Sequence, residues 1–162
     1  MCKRLLFFAL LVVLLDSCSF VKRIFHRSGS SYYSASELKD IIRVAKKFKG
    51  VPYRMGGMDK RGMDCSGLLF TVYASNDFSI PRISSDQAKF GEEIRLKDVQ
   101  LGDWVFFATG KVGLINHVGL VTKDHPAISF IHASTTYGVR EDLLYQKFWL
   151  DRIVKIIRPY KN

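Results

Sequence analysis

The chain has 162 residues, of which 48% are hydrophobic, and its 25 basic and 15 acidic residues give a formal charge of +10 at pH 7. This length is enough for one domain with a real core and not for two. The sequence has no zinc-finger, RNA-recognition or helix-turn-helix signature, so we expect no nucleic-acid partner in spite of the positive charge.

The first residues form a pattern typical of an export signal. Lys3 and Arg4 precede an unbroken apolar run over residues 5–15, which is shorter than the roughly 20 residues that a membrane-spanning helix needs. The run ends at Asp16-Ser17-Cys18, which resembles the bacterial lipoprotein signal, where a cysteine is lipidated and becomes the mature N-terminus. We predict a signal peptide over 1–17 and a lipid on Cys18, with an uncleaved tethering segment as the alternative.

The three cysteines then have different fates. Cys2 would leave with the signal peptide and Cys18 would carry the lipid, so Cys65 would remain as a single thiol. Exported proteins usually pair their cysteines or have none. A lone thiol in that setting is a candidate reactive group.

Residues 18–36 are rich in serine and basic side chains, and we interpret them as the lipidated cysteine followed by a flexible tether. The domain is predicted over 37–162. Its first helix should run over residues 36–49, because Ser34 and Glu37 have the spacing of a capping box and apolar residues recur at helical spacing.

The remainder of the chain changes from helical to strand patterns. A glycine-rich loop precedes a second helix that begins near Cys65. Helices first and strands afterwards indicate an α+β domain, in which helices pack on an antiparallel sheet. Four short β-rich runs are bounded by turn residues: 104–108, 118–122, 128–133 and 154–158.

Cys65 lies in the string MDCSG, at the predicted start of a helix. The free amides and the positive end of the helix dipole stabilise an anion there, so we expect a lowered thiol pKa and a favoured thiolate. The same amides can donate to the oxyanion that develops when a carbonyl is attacked. A buried, inert cysteine is the alternative, and the polar neighbours Asp64 and Ser66 count against it.

Two histidines complete a candidate catalytic group. His117 and His132 fall in different predicted strands, and if those strands are adjacent both side chains can face the start of the Cys65 helix. His117 would then take the thiol proton, and His132 would fix its tautomer and orientation. Zinc binding is the alternative use of these residue types, but the sequence has no close Cys-x-x-Cys pair and we predict no metal.

Six strings, in this order, carry a resemblance to a known family. The chain resembles the NlpC family of papain-like cell-wall cysteine peptidases, in particular its small lipoprotein members, over nearly the whole domain. The resemblance implies a papain-like α+β fold, with N-terminal helices packed on a central antiparallel sheet. The strings are PYRMGG from Pro52, MDCSG from Met63, PRISSDQ from Pro81, LGDWVFF from Leu101, NHVGLV from Asn116 and FIHAS from Phe130.

The resemblance also implies roles for individual residues. Cys65 matches the family nucleophile, His117 its general base and His132 its third, orienting residue. Tyr53 matches a tyrosine whose hydroxyl lies near the nucleophile and helps with the substrate or the oxyanion. Five further positions match residues that shape the cleft or lie near the substrate groove: Asp64, Ser66, Arg82, Ser84 and Gln87.

The implied reaction is hydrolysis of an amide in a peptidoglycan stem peptide through a thioester on Cys65, with no metal or organic cofactor. The family's usual target is the bond between D-glutamate and the diamino acid, and some lipoprotein members cut crosslinks between stems; the residues do not choose between them. A peptidoglycan amidase or acyltransferase on the same fold, or a wall-binding lipoprotein without activity, are the alternatives. The implied setting is the bacterial cell envelope, with a monomer anchored through lipid on Cys18 in the outer membrane and facing the periplasm.

Overall fold

The structure is a computed structural model that describes residues 31–161. The predicted signal peptide, the lipidation site Cys18 and the first part of the predicted tether lie outside the described residues. None of the helices over 31–161 is both long and apolar enough to cross a membrane. The helices are α1 (Ala35–Lys46), α2 (Cys65–Ala74), α3 (Ser84–Gln87) and α4 (Lys147–Leu150). The strands are β1 (Met58–Asp59), β2 (Gly62–Met63), β3 (Gly91–Glu93), β4 (Trp104–Phe107), β5 (His117–Lys123), β6 (Ser129–Ser134), β7 (Gly138–Leu143) and β8 (Ile153–Pro159).

Six strands form one antiparallel sheet in the order β3-β8-β4-β5-β6-β7. β1 and β2 form a separate two-stranded hairpin directly before α2. α2 packs against β5 and β6 and is also contacted by α1. The predicted α+β class, with helices packed on an antiparallel sheet, is confirmed.

The start of α1 follows from its capping box. The Ser34 side chain accepts from the amide of Glu37 at 3.3 Å, and the Glu37 carboxylate accepts from the amide of Ser34 at 2.8 Å. This pair satisfies two donors that a helix start leaves free. The helix ends at Lys46, three residues earlier than predicted, and a turn leads to Gly50, whose φ of +86° is one that glycine adopts readily.

The folded part begins before the predicted boundary at residue 37. Ser31 forms a β-bridge with Lys161 near the other end of the described chain. The Tyr33 ring is buried and packs edge-on against Tyr73 and Phe78. Residues 31–36 therefore belong to the domain rather than to the tether.

The sheet separates two apolar clusters, because alternate residues of a strand point to opposite faces. The first cluster lies between the sheet and α2, where Leu68 and Val72 of the helix meet Val118 and Leu120 of β5. The second cluster lies on the opposite face. It is formed around three aromatic side chains: Phe107, Phe130 and Trp149.

Candidate active site

Cys65 is the first residue of α2, and Asp64 is the N-cap of that helix. Asp64 Oδ1 accepts from the amide of Gly67 at 2.6 Å, which satisfies one of the free donors at the helix start. At Gly67 a side chain has no room, because a Cβ atom would come within 2.2 Å of the carbonyl oxygen of Gly57. The glycine-rich loop is thus packed directly on the turn that carries the thiol.

A hydrogen-bonded cluster around Asp64 flanks the thiol. The Arg82 guanidinium donates to both carboxylate oxygens, at 3.0 and 2.8 Å, and to the Ser66 hydroxyl at 2.9 Å. The buried Gln87 amide donates to the Ser66 carbonyl at 3.1 Å. Burial alone would raise the pKa of Asp64, but Arg82 and two backbone amides outweigh it and hold that pKa below its usual range. Asp64 is therefore an ionised carboxylate at neutral pH.

The two other residues predicted to contact substrate are Tyr53 and Ser84. Tyr53 pairs with Met63 through a parallel β-bridge ahead of α2 and is half-buried. Burial, and then the charges of Cys65 and Asp64, raise the Tyr53 pKa, so its phenol lies within electrostatic reach of the thiol. Ser84 is the first residue of α3. Within residues 31–161 it is not one of the residues that form the hydrogen-bonded cluster around Asp64.

The pKa of the Cys65 thiol is shifted in the direction opposite to the one that the sequence predicts. Its residue is 8% exposed. Burial raises the pKa of the Cys65 thiol, the charge of Asp64 adds to this, and the backbone amides of Val118, Ser66 and Cys65 itself only partly offset it. The expected lowering of the thiol pKa is wrong because desolvation outweighs the amides at the helix start. At neutral pH the resting thiol keeps its proton.

The two histidines are brought together by neighbouring strands. His117 is the first residue of β5, and His132 lies in β6, which pairs with β5. The distance between His117 Nε2 and His132 Nδ1 is 2.9 Å. The backbone amide of Val118, the residue after His117, donates a hydrogen bond to the Cys65 thiol, which acts to lower the thiol pKa. The residue that follows His117 therefore reaches the thiol, and His117 itself is in contact with His132.

The imidazole rings pack within the second cluster, on the face of the sheet opposite to α2. The His117 ring stacks on Trp149 with centroids 5.7 Å apart and an interplanar angle of 18°. The His132 ring meets the same indole edge-on at 4.9 Å. Alternation along β5 and β6 gives both rings these neighbours on the second-cluster face, and the orientation of the histidines towards the start of α2 stays a prediction. The thiol belongs to the first cluster.

The polar chain continues beyond the predicted residues to Asp142 in β7. Asp142 Oδ2 lies 3.0 Å from His132 Nε2 and accepts from Trp149 Nε1 at 3.2 Å. Asp142 Oδ1 lies 2.6 Å from Arg140 Nη2. Sequence reasoning missed all three of these partners. The signal that could have found them is the alternation along β7, where His132 is paired with Arg140 and Asp142 points to the same face.

Both histidines are neutral at rest. Burial lowers the pKa of His117 to about 3, the charge of His132 lowers it further, and Asp142 opposes the shift. Burial also lowers the pKa of His132, although Asp142 acts against it through a hydrogen bond and through its charge. A neutral imidazole has a free lone pair and can accept a proton. Among residues 31–161, no cluster of three or more His, Cys, Asp or Glu side chains could hold a metal ion.

Comparison with known proteins gives a family match over the same region. The model of the NlpC/P60 family matches residues 50–158. The chain is 46% identical over 84 residues to a gamma-D-glutamyl-L-lysine dipeptidyl-peptidase of Bacillus subtilis, a match that covers 51% of this chain and 28% of the relative. It is 39% identical over 134 residues to the probable endopeptidase NlpC of Escherichia coli, which covers 75% of this chain and 85% of the relative.

A solved structure supports the same relationship at the level of the fold. It comes from Staphylococcus aureus, is described as similar to a lipoprotein of the NLP/P60 family, and superimposes with a TM-score of 0.70 at 29% identity. The superposition covers 83% of this chain and 45% of that chain, so this chain spans less than half of that protein and of the Bacillus subtilis relative. Because the family model matches more than half of the sequence, including every predicted catalytic residue, the chain belongs to the NlpC/P60 family.

Proposed function

We propose that this chain hydrolyses an amide bond in the peptide stems of peptidoglycan, with Cys65 as nucleophile, His117 as general base and His132 as the residue that orients His117. The observation that carries the proposal is the 2.9 Å contact between the two histidines, beside the helix start that bears the thiol. The name of the Bacillus subtilis relative, a gamma-D-glutamyl-L-lysine dipeptidyl-peptidase, supports an amide of the stem as the target.

Catalysis starts from a neutral thiol and a neutral imidazole. His117 takes the proton from Cys65 while the sulfur attacks the substrate carbonyl, so proton transfer and formation of the sulfur–carbon bond occur in one step. The protonated His117 then delivers that proton to the leaving amine, and the acyl half remains as a thioester on Cys65. Water, activated by the now neutral His117, attacks the thioester and releases the acid and the free thiol.

The residues around the thiol have complementary tasks in this proposal. The free amides at the start of α2 and the Tyr53 hydroxyl donate to the oxygen that becomes negative during attack. The cluster of Asp64, Ser66 and Arg82 forms the wall of the cleft on the acyl side. Its carboxylate and guanidinium remain partly accessible, with side-chain exposures of 13% and 28%, and such charges suit the polar, zwitterionic groups of a stem peptide.

A lipid on Cys18 is part of the same proposal. It would hold the domain at the bacterial envelope, in the outer membrane and on the periplasmic side, and would raise the local concentration of wall substrate. Metabolic labelling with a palmitate analogue tests it: label should appear on the full chain and be absent from Cys18→Ala. Label on neither protein would contradict the anchor and leave the enzymatic proposal untouched.

The enzymatic proposal is tested by digesting purified peptidoglycan and weighing the released fragments by mass spectrometry. The wild-type chain should release fragments that Cys65→Ala and His117→Ala do not. His125→Ala is the matched control for the second variant, since His125 is exposed on a turn, and it should behave as wild type. Equal release by Cys65→Ala and wild type would overturn the assignment of the nucleophile.

The fragment masses also separate the alternatives. Muropeptides that end in D-glutamate identify the γ-glutamyl bond, and monomers released from dimers identify a crosslink. Whole stems and bare glycan identify an amidase, and exchange of an added amine into the fragments identifies an acyltransferase. Sedimentation of the chain with sacculi and no fragments from any variant would instead identify a wall-binding protein without activity.

A further inference from the structure

A cavity of about 400 Å³ opens beside the two histidines. Its lining includes His117, His132, Arg140, Tyr137 and Gln146. The thiol of Cys65 does not border it, and neither does the Asp64 cluster. The cavity therefore meets the proposed catalytic group at its two histidines.

Its place relative to the histidines decides which half of a substrate it would hold. In the proposed reaction the nucleophile keeps the acyl half, and His117 passes its proton to the leaving nitrogen. The leaving nitrogen must therefore lie within hydrogen-bonding reach of His117. A cavity that borders the histidines and not Cys65 lies on the side of the amine half.

The lining of the cavity is rich in hydrogen-bond donors. Arg140 lies 2.6 Å from Asp142 through Nη2 and sits 5.2 Å from the centre of the Tyr137 ring, so its guanidinium is held in place at the cavity wall. Its side chain is still 42% exposed, and a guanidinium has five N–H donors. The hydroxyl residues Ser134 and Thr136 also line the cavity.

The one acid among the described lining residues is already occupied. Asp142 is in contact with His132, Trp149 and Arg140 at once. A second anion would therefore meet Arg140 and the hydroxyl donors rather than an exposed carboxylate. Planar carboxylates pair especially well with a guanidinium.

We propose that this cavity binds a free carboxylate on the amine half of the substrate, with Arg140 as its charged partner. The inference rests on the proposed function, since that function places the amine half beside His117. It predicts that stems whose amine half ends in a free carboxylate close to the cut bond are preferred over the same stems with that carboxylate blocked. Arg140 would then determine specificity without taking part in proton transfer.

The test measures binding rather than turnover, so it can fail independently of the proposed function. Cys65→Ala chain is titrated by calorimetry with the dipeptide L-lysyl-D-alanine and with its C-terminal amide. The carboxylate form should bind about tenfold more tightly, the effect of one charge-assisted hydrogen bond. Arg140→Met in the same background should remove that difference, and Arg140→Lys should retain part of it.

Arg95→Met is the matched control, because Arg95 is also held by one aspartate, Asp98, at 2.7 Å but lies away from the cavity. It should keep the full preference for the carboxylate. Equal binding of the two dipeptides, binding of neither, or a loss in Arg140→Met that is the same for both would each overturn the carboxylate site. If the digest of peptidoglycan gives no fragments while the carboxylate preference is observed, the proposed function fails and the binding site stands.

Discussion

Asp142 Oδ2 lies 3.0 Å from Nε2 of His132, and this contact determines where the protons of both histidines sit. A carboxylate at neutral pH only accepts hydrogen bonds, so His132 carries its proton on Nε2 and offers the lone pair of Nδ1. Nε2 of His117, 2.9 Å from that Nδ1, must then carry the proton of its own ring. Nδ1 of His117 is left as the free lone pair, which is the atom that takes the thiol proton in the proposed reaction.

Replacement of Asp142 by asparagine should therefore impair catalysis through the tautomers. An amide can present its NH₂ group to His132, which reverses both hydrogen bonds and places a proton on the nitrogen of His117 that must act as base. We expect kcat to fall by about 100-fold, a typical share of general base catalysis. The pH profile is the diagnostic reading: because Asp142 raises the pKa of His117, its loss should move the acid limb to lower pH.

The matched control for that variant is Asp151→Asn. Asp151 follows α4 and pairs with Lys147 at 2.8 Å on the surface, so the same chemical change there should leave kcat and the pH profile as in wild type. A loss of activity in Asp142→Asn without any change in the pH profile would indicate damage to packing around Trp149 and would contradict the tautomer role.

The reactivity of the thiol with iodoacetamide should follow its raised pKa. Only the thiolate is alkylated, and burial raises the pKa of Cys65 above its ordinary value of 9.0. We expect the alkylation rate of the chain without residues 1–30, in which Cys65 is the one cysteine, to be low at pH 7 and to rise with a midpoint above pH 9. A midpoint near or below pH 7 would show a resting thiolate–imidazolium pair and would contradict the neutral resting state.

The elements that the sequence predicts correctly are those with strong local signals. α1 has its capping box, α2 begins at Cys65 after an aspartate cap, and the four predicted strands are the inner and apolar strands β4, β5, β6 and β8. The two strands of the large sheet that were missed, β3 and β7, are its edges. Edge strands are covered on one side only, so GEE and GVREDL can be polar and show no apolar alternation.

The residues of the candidate site also differ in whether local sequence signals reveal them. Cys65, His117 and His132 could be found because each stands in a characteristic string, and their roles stay predictions until activity is measured. Asp142 was missed, because its contact with His132 becomes visible only once β7 is recognised as a strand paired with β6. The state of the thiol could not be found either, since the opposing effects of burial and of the helix-start amides can be weighed only once the burial of Cys65 is known.

Gly67→Ala should destabilise the protein although it lies inside a helix. In an ordinary helix alanine is favoured over glycine by about 1 kcal/mol. Here the new Cβ would come within 2.2 Å of the Gly57 carbonyl oxygen and 2.9 Å of Asp64 Oδ1, and backbone must move to admit it. We expect the free energy of unfolding, measured in urea, to fall by about 1–3 kcal/mol. We also expect activity to be lost, because the turn that carries Cys65 is displaced.

The comparison for that variant is Gly110→Ala. Its Cβ would meet only the side-chain amide of Asn116, at 3.1 Å, which can rotate away. Its unfolding free energy should stay close to that of wild type. A Gly67→Ala protein that is as stable as wild type would mean that the glycine-rich loop is not packed on α2 as described.

Stability should fall on mild acidification because of His117. Its pKa is about 3 in the folded protein and about 6.5 when unfolded, so below pH 6.5 the unfolded chain binds a proton that the folded chain excludes. Between pH 7.5 and pH 5 the free energy of unfolding therefore falls by about 2 kcal/mol, progressively as the pH passes below the pKa of His117 in the unfolded chain. In urea titrations at the two pH values, His117→Gln should lose about 2 kcal/mol less than wild type. The exposed control His125→Gln should keep the wild-type pH dependence, and identical pH dependence in all three proteins would show that His117 is not held neutral by burial.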